Sequence, residues 1–179
     1  MKFQENDFVD HIISKLEEGD YQRRLPGNLD LQRALDNDLI IKFLKTSQPD
    51  SWKKLQEIHT TDLDEFVLDI LVSELDSRGM VDVMRNGFNV SDILLDCAYF
   101  KPVSTINPET QLQYDQNILS YIREAKIDHH KPGLVDILLC VNGLPLATAE
   151  VKNLETEQTY KNAEKQYRET RHPEARLLE

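Results

Sequence analysis

The chain has 179 residues and a formal net charge of −11, with 40 % hydrophobic and 30 % charged residues. That length suits one domain with a modest extension and buries enough surface to fold without disulfide or metal staples. The acidic balance argues against a free-standing polyanion binder, and no apolar run is long enough to span a bilayer.

Residues 1–7 lack the apolar core of a signal peptide, so the expected compartment is the cytoplasm. Residues 5–18 predict a helix: Phe8, Ile12, Ile13 and Leu16 recur at helical spacing, and Gly19 ends the run. Residues 20–30 read as loop. Residues 31–44 and 49–58 predict two short helices, the first carrying a stripe of Leu35, Leu39, Ile40, Phe43 and Leu44. A fourth helix is expected over 62–77, with Phe66, Ile70, Leu71 and Leu75 on one face. Acids at 62, 64 and 65 suit its N-terminus, and Gly79 stops it.

Beyond Gly79, Val81-Asp82-Val83-Met84 alternates like a short strand. Residues 92–100 form a second extended apolar run, broken at Pro102. Residues 112–126 fit two templates, an amphipathic helix and a strand buried on both faces, and periodicity leaves both open. Residues 157–171 predict a charged helix ended near Pro173. Cys97 and Cys140 lie in apolar runs and read as reduced core residues.

The stretch from Gly133 to Lys152 carries the chemistry. It reads as two buried strands around an Asn142-Gly143 turn, each apolar except for one acid, with a lysine at the end. A three-residue loop over 142–144 sets Asp136 opposite Glu150, with Lys152 projecting from the same face. A two-residue loop sets Asp136 opposite Ala149 and turns Glu150 away, so the chemistry needs an odd loop or a bulge. Two carboxylates facing each other in an apolar sheet repel, and a divalent cation removes the conflict. Mg²⁺ takes one or two carboxylates and further oxygens from a phosphate. The bland competing reading is that all three residues sit at solvated strand ends.

The wording of this stretch is specific. Val135-Asp136-Ile137-Leu138-Leu139, then Asn142-Gly143-Leu144-Pro145, then Ala147-Thr148-Ala149-Glu150-Val151-Lys152-Asn153, resembles the nuclease core of the restriction (R) subunit of type I restriction enzymes. Upstream, Glu74-Leu75-Asp76-Ser77-Arg78-Gly79, Val83-Met84-Arg85-Asn86-Gly87 and Tyr99-Phe100-Lys101-Pro102 match too. Downstream, so do Gln158-Thr159, Gln166-Tyr167-Arg168 and Arg171-His172-Pro173.

The resemblance implies an α/β, restriction-endonuclease-like (PD-(D/E)XK) mixed sheet flanked by helices, with an N-terminal helical segment over 1–61 and a nuclease core over 62–179. It implies residues 117–126 as a core strand. It implies Mg²⁺-dependent endonuclease cleavage of double-stranded DNA, with Asp136 and Glu150 as metal ligands and Lys152 orienting the attacking water. It further implies specificity and methyltransferase subunits as partners, and an ATP-driven motor following this module. No G-x(4)-G-K-[ST] phosphate loop is present, so ATP is expected to bind outside this chain, which is read as ending before the motor.

Many relatives place Gln-x-x-x-Tyr on the helix after the lysine, whereas here Gln166 is followed directly by Tyr167. Gln166 or Tyr167 is the expected DNA contact, with Arg123 as a phosphate contact and Glu74 as an additional acid; a solvated helix face or local ion pairs are the bland alternatives. The competing functions are a non-catalytic docking module of the same subunit and a stand-alone nuclease of the same fold.

Overall fold

A computed structural model describes residues 5–104, 106–127, 133–151, 160–170 and 177, and all their side chains except those of Glu5, Asn6, Gln166 and Thr170. The element order is α1 (Glu5–Glu18), β1 (Gln22–Arg24), α2 (Asn37–Ser47), α3 (Pro49–Ile58), α4 (Leu63–Arg78), α5 (Met80–Asn86), β2 (Phe88–Val90), β3 (Ile93–Leu95), α6 (Pro108–Tyr114), β4 (Leu119–Lys126), β5 (Leu134–Val141), β6 (Leu144–Ala149) and α7 (Tyr160–Lys165). The last runs into a π-helical turn (Gln166–Thr170). The fold is mixed α/β, with an N-terminal helix ahead of a four-stranded sheet of order β1-β4-β5-β6.

The chain divides into two compact units. The first is Met1–Asp36, Leu119–Cys140 and Leu144–Glu179; the second is Asn37–Ile118 with Val141–Gly143. The boundary expected at 61/62 falls inside the second unit. The N-terminal helix therefore belongs with the main sheet.

In the first unit, α1 forms where the apolar spacing predicts it. Its end is closed by the Gly19 N–H on the Lys15 and Leu16 carbonyls, and Asp20 takes the left-handed turn (φ 65°), a region Asp tolerates better than most residues. The expected loop over 20–30 contains β1, paired in parallel with β4 so that Gln22 lies level with Ser120 and Arg24 with Ile122. Parallel neighbours need a long crossover, and the segment between β1 and β4 supplies it. The helix expected from residue 31 starts only at Asn37, because Ala34 takes a left-handed conformation (φ 55°) and Asp30 and Leu35 exchange backbone hydrogen bonds.

Strand β4 settles the ambiguity over 112–126. Ser120, Tyr121 and Ile122 are buried in succession, as in a strand covered on both faces. Only 108–114 is helical. On one side of the sheet Leu29, Ile122, Ala125, Val135, Leu138 and Cys140 cluster. On the other, Tyr121, Ile137 and Val151 pack against Val9, Ile12, Ile13 and Leu16 of α1. The Tyr121 hydroxyl donates to Glu17 Oε1 (2.6 Å) and Arg123 donates to Asp10 Oδ1 (2.7 Å), which fixes α1 on that face.

In the second unit, α2 buries Leu39, Ile40, Ile41, Phe43 and Leu44, and α3 buries Trp52 and Leu55. Helix α4 buries Leu63, Val67, Leu68 and Leu71; the expected stripe through Phe66 is displaced, and Phe66 instead stacks on His59 at 4.3 Å. The strand expected at 81–84 is helix α5. Gly79 (φ 80°) and Gly87 (φ 65°) bound it, and the adjacent Val83 and Met84 are both buried, which a strand facing one core does not allow. At Gly87 a Cβ would run into the Leu95 carbonyl oxygen, so the β2–β3 hairpin requires glycine there.

Candidate active site

The turn between β5 and β6 has two residues, Asn142 (φ 54°) and Gly143 (φ 88°), both left-handed. This is the twist-matched hairpin turn that Asn-Gly favours, and it excludes the three-residue loop over 142–144, leaving a bulge as the other way to set Asp136 opposite Glu150. The Asn142 side chain locks the turn. Its Oδ1 accepts the Ile118 N–H (2.6 Å), and its amide donates to the Cys97 carbonyl (2.9 Å) and to Asn117 Oδ1 (3.0 Å).

With a two-residue turn, an unbroken ladder would leave Asp136 level with Ala149 and turn Glu150 to the other face. The ladder is broken. Leu146 and Ala147, adjacent along β6, are both exposed, so the alternation slips there by one residue. Beyond the slip, Ala149 and Val151 pack in the α1-side cluster with Ile137 and Leu139. Glu150 lies between Ala149 and Val151, just beyond the end of β6, and Asp136 lies next to Ile137 in β5. An edge strand tolerates this irregularity, and among the described residues β6 is an edge, which also accommodates Pro145.

A hydrogen bond joins the two ends of the hairpin: Asp136 Oδ2 accepts the Val151 N–H at 2.6 Å. The Asp136 carboxylate is thus held against the backbone immediately after Glu150, and both acids are half-buried. A second irregularity lies alongside. The Ile127 N–H donates to the Gly133 carbonyl (3.2 Å), and counting three residues back along β4 and three forward along β5 sets Glu124 level with Asp136. Glu124 has φ 53°, a left-handed conformation inside a strand. Ile122 and Ala125 fall in one cluster despite odd spacing, and so do Val135 and Leu138. Both strands change face at this level, which frees Asp136 from the regular pleat.

The family model for the type I restriction enzyme R protein N terminus matches residues 12–179. The chain belongs to that family. No curated protein and no solved structure matches it.

Other residues singled out in this R-protein N terminus are placed as follows. Lys152 lies outside the described residues. Gln166 begins the π-helical turn, its side chain outside the description. Tyr167 is half-buried, with its hydroxyl 2.8 Å from Thr148 Oγ1 of β6. Arg123 is engaged by Asp10. Glu74 lies in the second unit, where Arg78 Nη1 binds both its carboxylate (2.7 Å) and the Gly87 carbonyl (3.0 Å), while Nε reaches Asp82. Thr148, the Val151 N–H and the kink at Glu124 escaped the sequence reading. Only Pro145 hinted at them, by marking an irregular edge.

The donor chemistry fits Mg²⁺. Asp136 and Glu150 offer hard carboxylate oxygens, and two carboxylates are what this cation commonly takes from a protein. Among the described residues no group of three or more His, Cys, Asp or Glu converges as a metal centre. Burial pushes both thiols, Cys97 and Cys140, up to about 12, so neither offers a thiolate near neutrality. No described helix is long and apolar enough to cross a membrane.

Proposed function

We propose that this R-protein N terminus is the endonuclease module of a type I restriction enzyme, hydrolysing phosphodiester bonds of double-stranded DNA with Mg²⁺. The observation that carries the reading is the Asp136–Val151 hydrogen bond, which holds the β5 carboxylate on the backbone of Val151, next to Glu150 in the chain. Asp136 and Glu150 would hold the cation. When bound, Mg²⁺ supplies stabilisation of the extra negative charge on the phosphate in the transition state.

The remaining work falls to the chain itself. The Val151 N–H satisfies one Asp136 oxygen and fixes the carboxylate plane. The α1-side cluster excludes water behind the site and anchors Ala149 and Val151, so Glu150 is presented from a rigid backbone. Lys152 Nζ, two residues beyond Glu150, orients the attacking water and balances charge gathering on the phosphate. Specificity and methyltransferase subunits, a cytoplasmic location, and an ATP-driven motor outside these 179 residues belong to the same proposal.

The test is Lys152→Ala in the full R subunit of the assembled complex, with ATP hydrolysis and linearisation of circular duplex DNA measured together. Linearisation is expected to fall at least about 100-fold, the effect of removing one group that stabilises transition-state charge, while ATP hydrolysis persists. Cleavage at the wild-type rate would remove Lys152 from the site.

One observation favours an additional docking role for the second unit. Phe100, Val103, Ile106 and Leu112 expose large apolar side chains there, a pattern common at protein interfaces.

A further inference from the structure

We propose that Tyr167 is a positioning residue for the Asp136–Glu150 pair and acts through Thr148; the proposal rests on the nuclease reading above. The hydroxyls of Tyr167 and Thr148 lie 2.8 Å apart. Thr148 stands two residues before Glu150 on β6, just past the slip at Leu146 and Ala147.

The strand needs such a support. Among the described residues β6 is flanked by β5 on one side only, and the strand ends at Ala149. Past that point the Val151 N–H is held by Asp136. The Tyr167–Thr148 bond holds the backbone on the near side of Glu150. Glu150 therefore sits between two fixed points, one on each side along the chain. A phenol ring has only two side-chain torsions, so it makes a stiff strut at small entropic cost.

The helical setting agrees. Tyr167 lies in the π-helical turn that follows α7, and single π turns inside helices are often retained at functional sites. Pairs one turn apart, Arg168 with Glu164 (2.7 Å) and Lys165 with Glu169 (3.6 Å), brace the segment along its exposed side. Tyr167 is meanwhile half-buried and directed to the strand. Groups that orient metal ligands without touching the metal typically affect its affinity 10–100-fold when removed.

The test is a titration of Mn²⁺ alone into the protein, followed by electron paramagnetic resonance, with circular dichroism to verify folding. Tyr167→Phe and Thr148→Val are each expected to weaken Mn²⁺ binding about tenfold. Thr148→Ser, which keeps the hydroxyl, should hold wild-type affinity. The double variant should be no weaker than the worse single one, because both remove the same bond. Glu150→Ala should lose the ion.

If both single variants bind Mn²⁺ like wild type while Glu150→Ala does not, the proposal for Tyr167 is overturned and the site stands. If wild type binds no Mn²⁺, or Glu150→Ala binds it unchanged, the nuclease site fails and the proposal with it. Should Tyr167→Phe not fold, Thr148→Val against Thr148→Ser decides alone, and equal affinities overturn the proposal.

Discussion

Asn142 does two jobs with one side chain. It takes the left-handed turn at φ 54° and pairs three groups in two other segments, at Cys97 and at Asn117 and Ile118. Asn142→Ala leaves a buried N–H and a buried carbonyl unpaired, at about 1–3 kcal/mol each. The expected loss is about 3 kcal/mol, read as a lower urea midpoint at unchanged slope. Asn142→Asp keeps the acceptor for Ile118 but loses both donors and should fall between. The two thiols give a second residue-scale prediction. Burial disfavours the thiolate and raises each to about 12, so at pH 8 both are protonated in the folded protein. Iodoacetamide should leave Cys97 and Cys140 intact at pH 8 and modify both after guanidinium unfolding. At this scale the sequence was legible where an apolar run marked a strand around a single acid, as in β5 around Asp136. It was illegible where a charged side chain had a distant partner. Nothing local to Arg123 announces Asp10, 113 residues away, and nothing at Tyr167 announces Thr148.

Between residues and the whole stand the turns that decide what each element is. The apolar alternation at 81–84 describes a strand, yet two positive-φ glycines delimit a seven-residue helix. Periodicity over so few residues cannot separate the two. Gly87→Ala would force a Cβ onto the Leu95 carbonyl and hold a non-glycine residue at φ 65°. The strain in backbone conformation alone is of order 1–3 kcal/mol, and the clash adds to it, so thermal unfolding should shift down sharply. Arg78 ties the same region together by binding Glu74, Asp82 and the Gly87 carbonyl. Arg78→Ala is expected to speed amide hydrogen exchange in α5 and leave exchange in β4 and β5 unchanged. The hydrogen bond from Arg78, then that from Asn86, holds the Asp82 carboxyl below its ordinary range. Its contribution is therefore present at neutral pH and is lost as pH falls through the depressed value, so the protection of α5 amides, relative to their intrinsic exchange rates, should fall in acid even in wild type. The hairpin of β5 and β6 was legible from Asn142-Gly143 and the flanking apolar runs. Its loop length was not, because the slip inside β6 falls at Leu146-Ala147, where the sequence gives no sign of which residue leaves the ladder.

For the whole molecule, charge is the dominant fact. A net charge of −11 opposes phosphate binding. The isolated chain is expected to bind duplex DNA weakly at near-physiological salt, with little improvement on adding Mg²⁺, as measured by fluorescence anisotropy. Tight binding there would show that the surface, and not the assembled complex, delivers the DNA. The division into a sheet-bearing unit and an inserted unit spanning residues 37–118 was hidden from the sequence, because no linker composition marks either crossing. The central claim remains that Asp136 and Glu150 act together on DNA. The most direct measurement is linearisation of circular duplex DNA by the assembled restriction complex carrying Glu150→Ala, with ATP hydrolysis recorded in the same reaction. The account predicts ATP turnover at the wild-type rate with cleavage abolished, and cleavage continuing at the wild-type rate would contradict it.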